Sequence, residues 1–339
     1  MQSKDIPMDY RYLGQSALKV SPLCLGSMMF GGEINAQTAK RIIDKAASQG
    51  INFLDTADVY NGGKSEEVIG TSIQGNRNAW VIATKFGYGS GANQQGQSRK
   101  WIMQTLEGSL KRLGTNYVDI LYFHRALPGV TLEEGLRAIG DLISQGKIRY
   151  YGVSNFHGWR IAELVRLADH LGIQRPTVSQ PLYNLVDRSA EVEQLPAAGQ
   201  YGLGVVPYSP LARGVLTGKY ASLDNLPEDS RAGRGDARIQ QTELRAESLI
   251  IAQKVAERAR EKGISSIALA LAWVLKNRLI SATIAGPRTE AHWDSYMDAL
   301  NARLTAEDEA FINDLVHPGH ASTPGYTDPA YPVEGRVVA

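Results

Sequence analysis

Residues Gly50–Tyr60 read GINFLDTADVY, a short apolar run that ends on an acid, Asp55, and is followed five positions later by a phenol, Tyr60. Two later runs close in the same manner: VIATK (81–85) on Lys85 and VDILYFH (118–124) on His124. Runs that are apolar throughout match strands covered on both faces, as in a parallel sheet. Consecutive parallel strands would gather these polar last residues at one mouth of the sheet, where a barrel puts its chemistry. A carboxylate, an ammonium, a phenol and an imidazole then form a proton-handling set. A tyrosine with an ordinary pKa of about 10 is a poor acid near neutrality, and a neighbouring cation lowers that value. Lys85 is the expected cation, and Asp55 is expected to pair it so that a desolvated ammonium is not left alone.

Outward from these runs the pattern alternates. Strand candidates are LCLG (Leu23 to Gly26), NFLD, WVIATK, VDILYFH, IRYYGVS, TVSQ, GVVPYS and SATIAG. Between them, apolar residues recur at the helical spacing over 39–49, 66–73, 98–113, 132–144 and 159–171. Ser98 is placed to cap its helix, and Gly50, Gly114 and Gly172 to stop theirs. Alternation on this scale implies parallel strands joined by right-handed crossovers. Eight such units favour closure: an α/β fold, a (β/α)8 TIM barrel, expected as one domain over residues 1–339. YRYLG and LKVS flank a short turn and predict an N-terminal β-hairpin that plugs the bottom of the barrel. The irregular stretches 86–97 and 217–241 follow strand ends and are expected as long mouth loops. A helical stretch over 243–262 interrupts the alternation and is expected as an extra helix in the C-terminal part, outside the barrel. The tail, 317–339, has Pro318, Pro324, Pro329 and Pro332 and no helical period, while Tyr326 and Tyr331 predict that it docks.

Lys plus Arg at 36 against Asp plus Glu at 35 leave a formal net charge of +1, which offers no general attraction to nucleic acid or to an anionic membrane. No run of about 18 apolar residues is present and the start lacks the apolar core of a secretory signal, so a cytoplasmic chain with no membrane partner is expected. The single cysteine, Cys24, forms no intramolecular disulfide and reads as an inert core thiol. Histidines 157, 170, 292, 317 and 320 lack metal-ligand spacing, and no metal site is expected. No GxGxxG follows a strand, so the usual dinucleotide-binding fold is not indicated.

The motifs GINFLDTADVY, VIATK and VDILYFH, with YYGVSNF, QPLYN, VPYSPLARGVLTGKY and IAGPR further on, resemble the signatures of the aldo-keto reductases, in the family's order, from about Tyr10 to Leu300. That resemblance implies an NADP(H)-dependent oxidoreductase that reduces an aldehyde or ketone reversibly. Tyr60 would act as general acid in reduction and base in oxidation, Lys85 would lower its pKa, Asp55 would hold Lys85, and His124 would orient the carbonyl oxygen. The residues agree independently, because donors aimed at an oxygen that becomes negative stabilise the transition state selectively. Asp55 alone would read as a turn cap and Tyr60 alone as a surface aromatic. Lysine is rarely buried unless paired, so Lys85 at the end of an apolar strand carries most of the reading.

The resemblance also implies a cofactor laid across the strand ends. Gly26, Ser27 and Met28 would line its nicotinamide end beside Asp55, Ser154, Asn155 and Gln180 would hold the carboxamide, and Tyr208 would stack on the ring. Read without the family, Ser154 and Asn155 would be caps of the helix that begins near His157, the lesser reading of the two. For the phosphates the implied residues are Ser209, Leu211, Lys219 and Arg231 after the seventh strand, with Arg234 and Arg238 near the last of these. Gly286 and Arg288 would add a helix start. The chain departs from the family pattern within GPRTEAHW, where His292 stands for a common Gln, and after it, where Ser295 and Tyr296 stand for a common Glu-Asn pair against adenine. Two other functions compete. One is a regulatory NADP(H)-binding subunit with little turnover, since relatives of this kind serve as potassium-channel subunits. The other is a lyase with Lys85 as Schiff base, which requires that amine to be unpaired.

Overall fold

In the computed structural model residues 8–332 are described, so the last part of the expected tail, 333–339, lies outside the described residues. Strands β1 (Arg11–Tyr12) and β2 (Lys19–Val20) pair antiparallel as the expected hairpin. Then come β3 (Leu23–Gly26), β4 (Phe53–Asp55), β5 (Val81–Phe86), β6 (Val118–Phe123), β7 (Ile148–Ser154), β8 (Val178–Gln180), β9 (Gly204–Val205) and β10 (Thr283–Ala285). They form one eight-stranded parallel sheet in the order β10-β3-β4-β5-β6-β7-β8-β9. A parallel bridge between Val205 and Ile280, with Ile284 N donating to Pro207 O at 3.0 Å, joins its two ends and closes it as a (β/α)8 barrel. The expected strand GVVPYS shortens to two residues because Pro207 has no N–H for the ladder.

Local chemistry explains the helices. α1 (Ala36–Ser48) begins earlier than its apolar period because the Asn35 side chain accepts from Thr38 N. α2 (Lys64–Ser72) is followed by α3 (Arg99–Leu113), with Ser98 accepting from Trp101 N at its start and Gly114 left-handed at its end. α4 (Glu133–Ser144) and α5 (Gly158–Leu171), the latter stopped by left-handed Gly172, complete the helices read from periodicity. Not foreseen were α6 (Gln194–Tyr201) and α7 (Ala237–Gln241). The extra helix is α8 (Ala246–Glu261). α10 (Glu290–Met297) is the helix expected to start after Gly286 and Arg288, whereas α9 (Ser266–Lys276) and α11 (Ala306–Leu315) were not foreseen. α9 escaped because SIALALAWVLK is apolar all round and so has no period, whereas α11 is announced by a Thr305–Asp308 capping box.

The described residues gather into two compact units. One comprises the chain up to Pro181 with Glu193–Tyr208 and Arg278–Asp294, and it contains all ten strands. Its core packs Leu13 and Val20 of the hairpin region against Cys24, Phe53, Ala83, Ile120, Tyr122 and Val178, all buried. A buried Val, Leu or Phe side chain contributes about 1.5–3 kcal/mol, so the hairpin is a true plug. The second unit comprises Leu182–Val192, Ser209–Asn277 and the chain from Ser295 onward. Within it the tail is docked without helix: Arg188 N donates to His320 O, Ser322 N to Val186 O, Arg238 pairs with Asp328 at 2.6 Å, and the Arg245 guanidinium lies 3.8 Å from the Tyr326 ring centre.

Candidate active site

Side chains alternate across a strand, so a residue two positions beyond a core residue faces the same interior. Cys24, Phe53, Ala83, Tyr122, Val178 and Val206 face inward. Two steps on stand Gly26, Asp55, Lys85, His124, Gln180 and Tyr208, the set expected at the carboxyl ends of the strands. The ladder fixes their stagger, with Gly26 opposite Asp55, Lys85 opposite Tyr122 and Ser154 opposite Gln180. Gly26 has no room for a side chain, since a Cβ there would come within 2.6 Å of Ile284 Cγ2.

Lys85 is fully buried and Asp55 is 2% exposed. The Lys85 ammonium donates to Asp55 Oδ1 at 2.5 Å, to Thr56 O at 2.6 Å and to the Tyr60 hydroxyl at 3.3 Å. The other oxygen of Asp55 accepts from Gln180 Nε2 at 2.9 Å. Burial pulls the Lys85 pKa down, but Asp55 and Tyr60 more than offset it and the net shift is upward. For Tyr60 burial raises the pKa and Lys85 opposes it, leaving the phenol above its ordinary value. The expected lowering is thus present as one contribution, and desolvation outweighs it. His124 lies edge-on to Tyr60, ring centres 6.0 Å apart, and its Nδ1 is buried without a partner. Burial, then Lys85 and Arg125, hold its pKa well below the usual imidazole value, so the ring is neutral.

Around this set the loops are pinned. Asn61, left-handed at φ 50°, donates to Met28 O and Phe30 O at 2.8 Å each, fixing the loop after β3 beside Tyr60. Ser27 donates through N and Oγ to Asp55 O, and Ser27 and Thr56 both meet the Ser65 hydroxyl. Ser65 was not foreseen, because a serine in a helical stretch gives no sign of what it reaches. Asn155, also left-handed at φ 57°, links His124 O, Ser154 Oγ and the Tyr208 hydroxyl, and Ser154 donates to Gln180 O. Neither Ser154 nor Asn155 caps α5, whose N-cap is His157.

The expected phosphate residues divide between the units. Gly286 and Arg288 belong to the barrel unit, as does the cofactor residue His292; Gly286 is exposed and Arg288 N donates to His292 Nδ1 at 3.4 Å. Glu290, near enough in sequence to neutralise Arg288, is held instead by Arg41 at 2.8 Å. Ser209, Leu211, Lys219 and Arg231 belong to the second unit, where Lys219 is exposed and Arg231 pairs with Asp236 at 2.8 Å.

A second buried carboxylate group lies behind the first and was missed in the sequence. Glu66 accepts from Thr84 Oγ1 at 2.5 Å and from Arg112 Nε at 2.7 Å. Near it, Asp58 Oδ1 is buried without a partner, and burial followed by Glu66 pushes the Asp58 pKa up to about 7. A carboxyl whose folded pKa lies above its unfolded value, about 3.9, stabilises the fold below that value and loses this as pH rises through the folded one. Asp58→Asn is therefore expected to melt increasingly higher than the parent chain as pH climbs from about 4 to about 7. A melting-temperature difference that stayed flat over this range would contradict the assignment.

The aldo/keto reductase family model matches residues 22–317. The chain belongs to the aldo-keto reductases. Among similar family members is a probable voltage-gated potassium channel subunit beta of Oryza sativa subsp. japonica, 38% identical over 87% of this chain and 92% of its own length. An uncharacterized oxidoreductase of Bacillus subtilis is 36% identical over 94% of this chain and 98% of its own. The versiconal hemiacetal acetate reductase of Aspergillus parasiticus is 33% identical over 92% and 99%. As an aldo-keto reductase family member with relatives named as oxidoreductases, the chain is an oxidoreductase. Among the described residues no helix is long and apolar enough to cross a membrane.

Proposed function

We propose that this aldo-keto reductase reduces an aldehyde or ketone with NADPH, reversibly and in the cytoplasm, and that Tyr60 delivers the proton. The observation that carries the reading is the Lys85 ammonium, held by Asp55 at 2.5 Å and by Thr56 O, with its remaining donor on the Tyr60 hydroxyl. The residues at the strand ends fit a nicotinamide. Ser154, Asn155 and Gln180 offer a hydroxyl and two amides for a carboxamide, Tyr208 offers a flat face, and Gly26, Ser27 and Met28 line the place beside Asp55. When bound, the cofactor supplies the hydride. Tyr60 gives its proton to the carbonyl oxygen as that oxygen becomes negative, and as phenolate takes the proton back in oxidation. Lys85 stays charged throughout and stabilises the phenolate. His124, being neutral, keeps one ring N–H to donate to the same oxygen. Disappearance of the NADPH absorbance with a panel of aldehydes, sugars and bulky ketones tests the reading, and no turnover of any of them would end it.

Phosphate binding falls to Ser209, Leu211, Lys219, Arg231, Gly286 and Arg288, with His292 a further cofactor-binding residue beside them. Arg288 comes first for the 2′-phosphate, since Asp236 already engages Arg231 and Glu290 is held away by Arg41. A charged hydrogen bond contributes about 1.5–3 kcal/mol, so Arg288→Ala is expected to weaken NADPH by roughly 10- to 150-fold and NADH far less. An unchanged ratio of the two dissociation constants would show that Arg288 does not read that phosphate. A regulatory subunit with little turnover is the second reading, favoured by the relatives named as channel subunits. The lyase reading loses support, because its nucleophilic amine must be unpaired and Lys85 is held by Asp55.

A further inference from the structure

Arg125 follows His124 at the mouth and is half-buried. In the same unit the half-buried Arg77, Arg112 and Arg160 each hold a carboxylate at 2.7–2.8 Å. Arg125 differs. Among the described residues no hydrogen bond or ion pair reaches its guanidinium, and its Nε is buried without a partner. What positions it is a ring: the guanidinium lies 4.4 Å from the centre of Tyr88, and Tyr88 stands edge-on to His124 with ring centres 4.7 Å apart. Tyr88 sits at the neck of the loop after β5, which Gly96 N closes by donating to Gly87 O at 2.9 Å, and Gln97 ties that loop to Leu127 N and to the carbonyls of Val130 and Thr131. The arrangement is braced rather than loose. Trp101, whose ring packs against Gly89 of the same loop, also has a buried N–H without a partner.

Among the described residues Arg125 has no carboxylate at ion-pair distance. Lys85 is neutralised by Asp55 and Arg112 by Glu66, whereas Arg125 keeps its charge one aromatic ring from His124. A half-desolvated guanidinium with unused donors matches a planar anion, which it can grip with two parallel N–H bonds. We propose that Arg125 is a carboxylate-reading subsite and that the physiological carbonyl substrate carries a carboxylate. This rests on the carbonyl-reductase reading above and adds the substrate class.

The test uses the full chain saturated with NADP(H) and a matched pair of probes, 4-carboxybenzaldehyde and its methyl ester. The wild-type chain is expected to favour the carboxylate by tenfold or more in kcat/KM, through KM rather than kcat, with the preference shrinking as salt is added. Arg125→Met is expected to bring the ratio close to one, and Arg125→Lys, which keeps the charge but not the fork, to leave it in between. Calorimetric titration of benzoate into the NADP+-bound protein should show binding that weakens tenfold or more in Arg125→Met. Equal kcat/KM for the two aldehydes in the wild type, or a ratio that Arg125→Met does not move, would overturn the subsite while leaving the reductase intact. If neither aldehyde were turned over, the titration would still decide: benzoate binding that depends on Arg125 upholds the anion site, binding indifferent to Arg125 removes it, and the reductase reading is left to the wider carbonyl panel.

Discussion

Tyr60→Phe is expected to lower kcat by about 100- to 10,000-fold, the usual contribution of a positioned general acid, while NADPH binding stays within a few-fold of the parent chain. The substitution is nearly pure chemistry. Phenylalanine keeps the ring that meets His124 edge-on and that Lys85 approaches at 4.9 Å, and removes only the hydroxyl at 3.3 Å from the ammonium. Lys85 retains Asp55 and Thr56 O, so no buried charge is stranded. Steady-state rates and fluorescence titration of NADPH on the same preparation separate the two effects. A kcat near the parent value would remove Tyr60 from the proton path.

The second large effect is on stability as well as rate. In Lys85→Met the Asp55 carboxylate would stay buried with the Gln180 amide as its remaining side-chain donor. Breaking a buried pair by removing one partner typically costs about 3–5 kcal/mol, because the surviving charge is uncompensated. The chain is expected to unfold at markedly lower denaturant, and whatever folds should turn over as poorly as Tyr60→Phe. Asp55→Asn combined with Lys85→Met should recover much of the stability and none of the rate. Were the single and double variants equally stable, the charge left on Asp55 would not be the cause of the loss.

Legibility followed physical visibility. Asp55, Lys85 and His124 could be read because each closes a mostly apolar run, and the two-residue pleat then aims them into the mouth. The strands were readable for the same reason, while α9, apolar on every face, left no period to find. The link from Gln180 to Asp55 spans 125 positions and no local pattern announces it. Arg231 carried the right charge for a phosphate, but its pairing with Asp236 depends on how an irregular loop turns. The direction of the Tyr60 shift was misjudged because burial depth, unlike the nearness of a cation, is not written in the spacing of residues.

Barrel closure bears on the order in which the chain can assemble. The last strand, β10, lies beside β3, the first of the barrel, and contacts such as Ser281 Oγ to Tyr12 O join residues 269 positions apart. During synthesis the strands up to β9 emerge with both outer ladders unpaired, and open strand edges invite pairing with other chains. Entropy alone penalises such distant closure only mildly, by about 0.6 kcal/mol for each doubling of the intervening length, but it delays the step until nearly the whole polypeptide has left the ribosome. A nascent chain halted before residue 280 therefore presents two sticky edges to its neighbours, and the few residues of β10 act as the clasp that turns an aggregation-prone ribbon into a sealed ring.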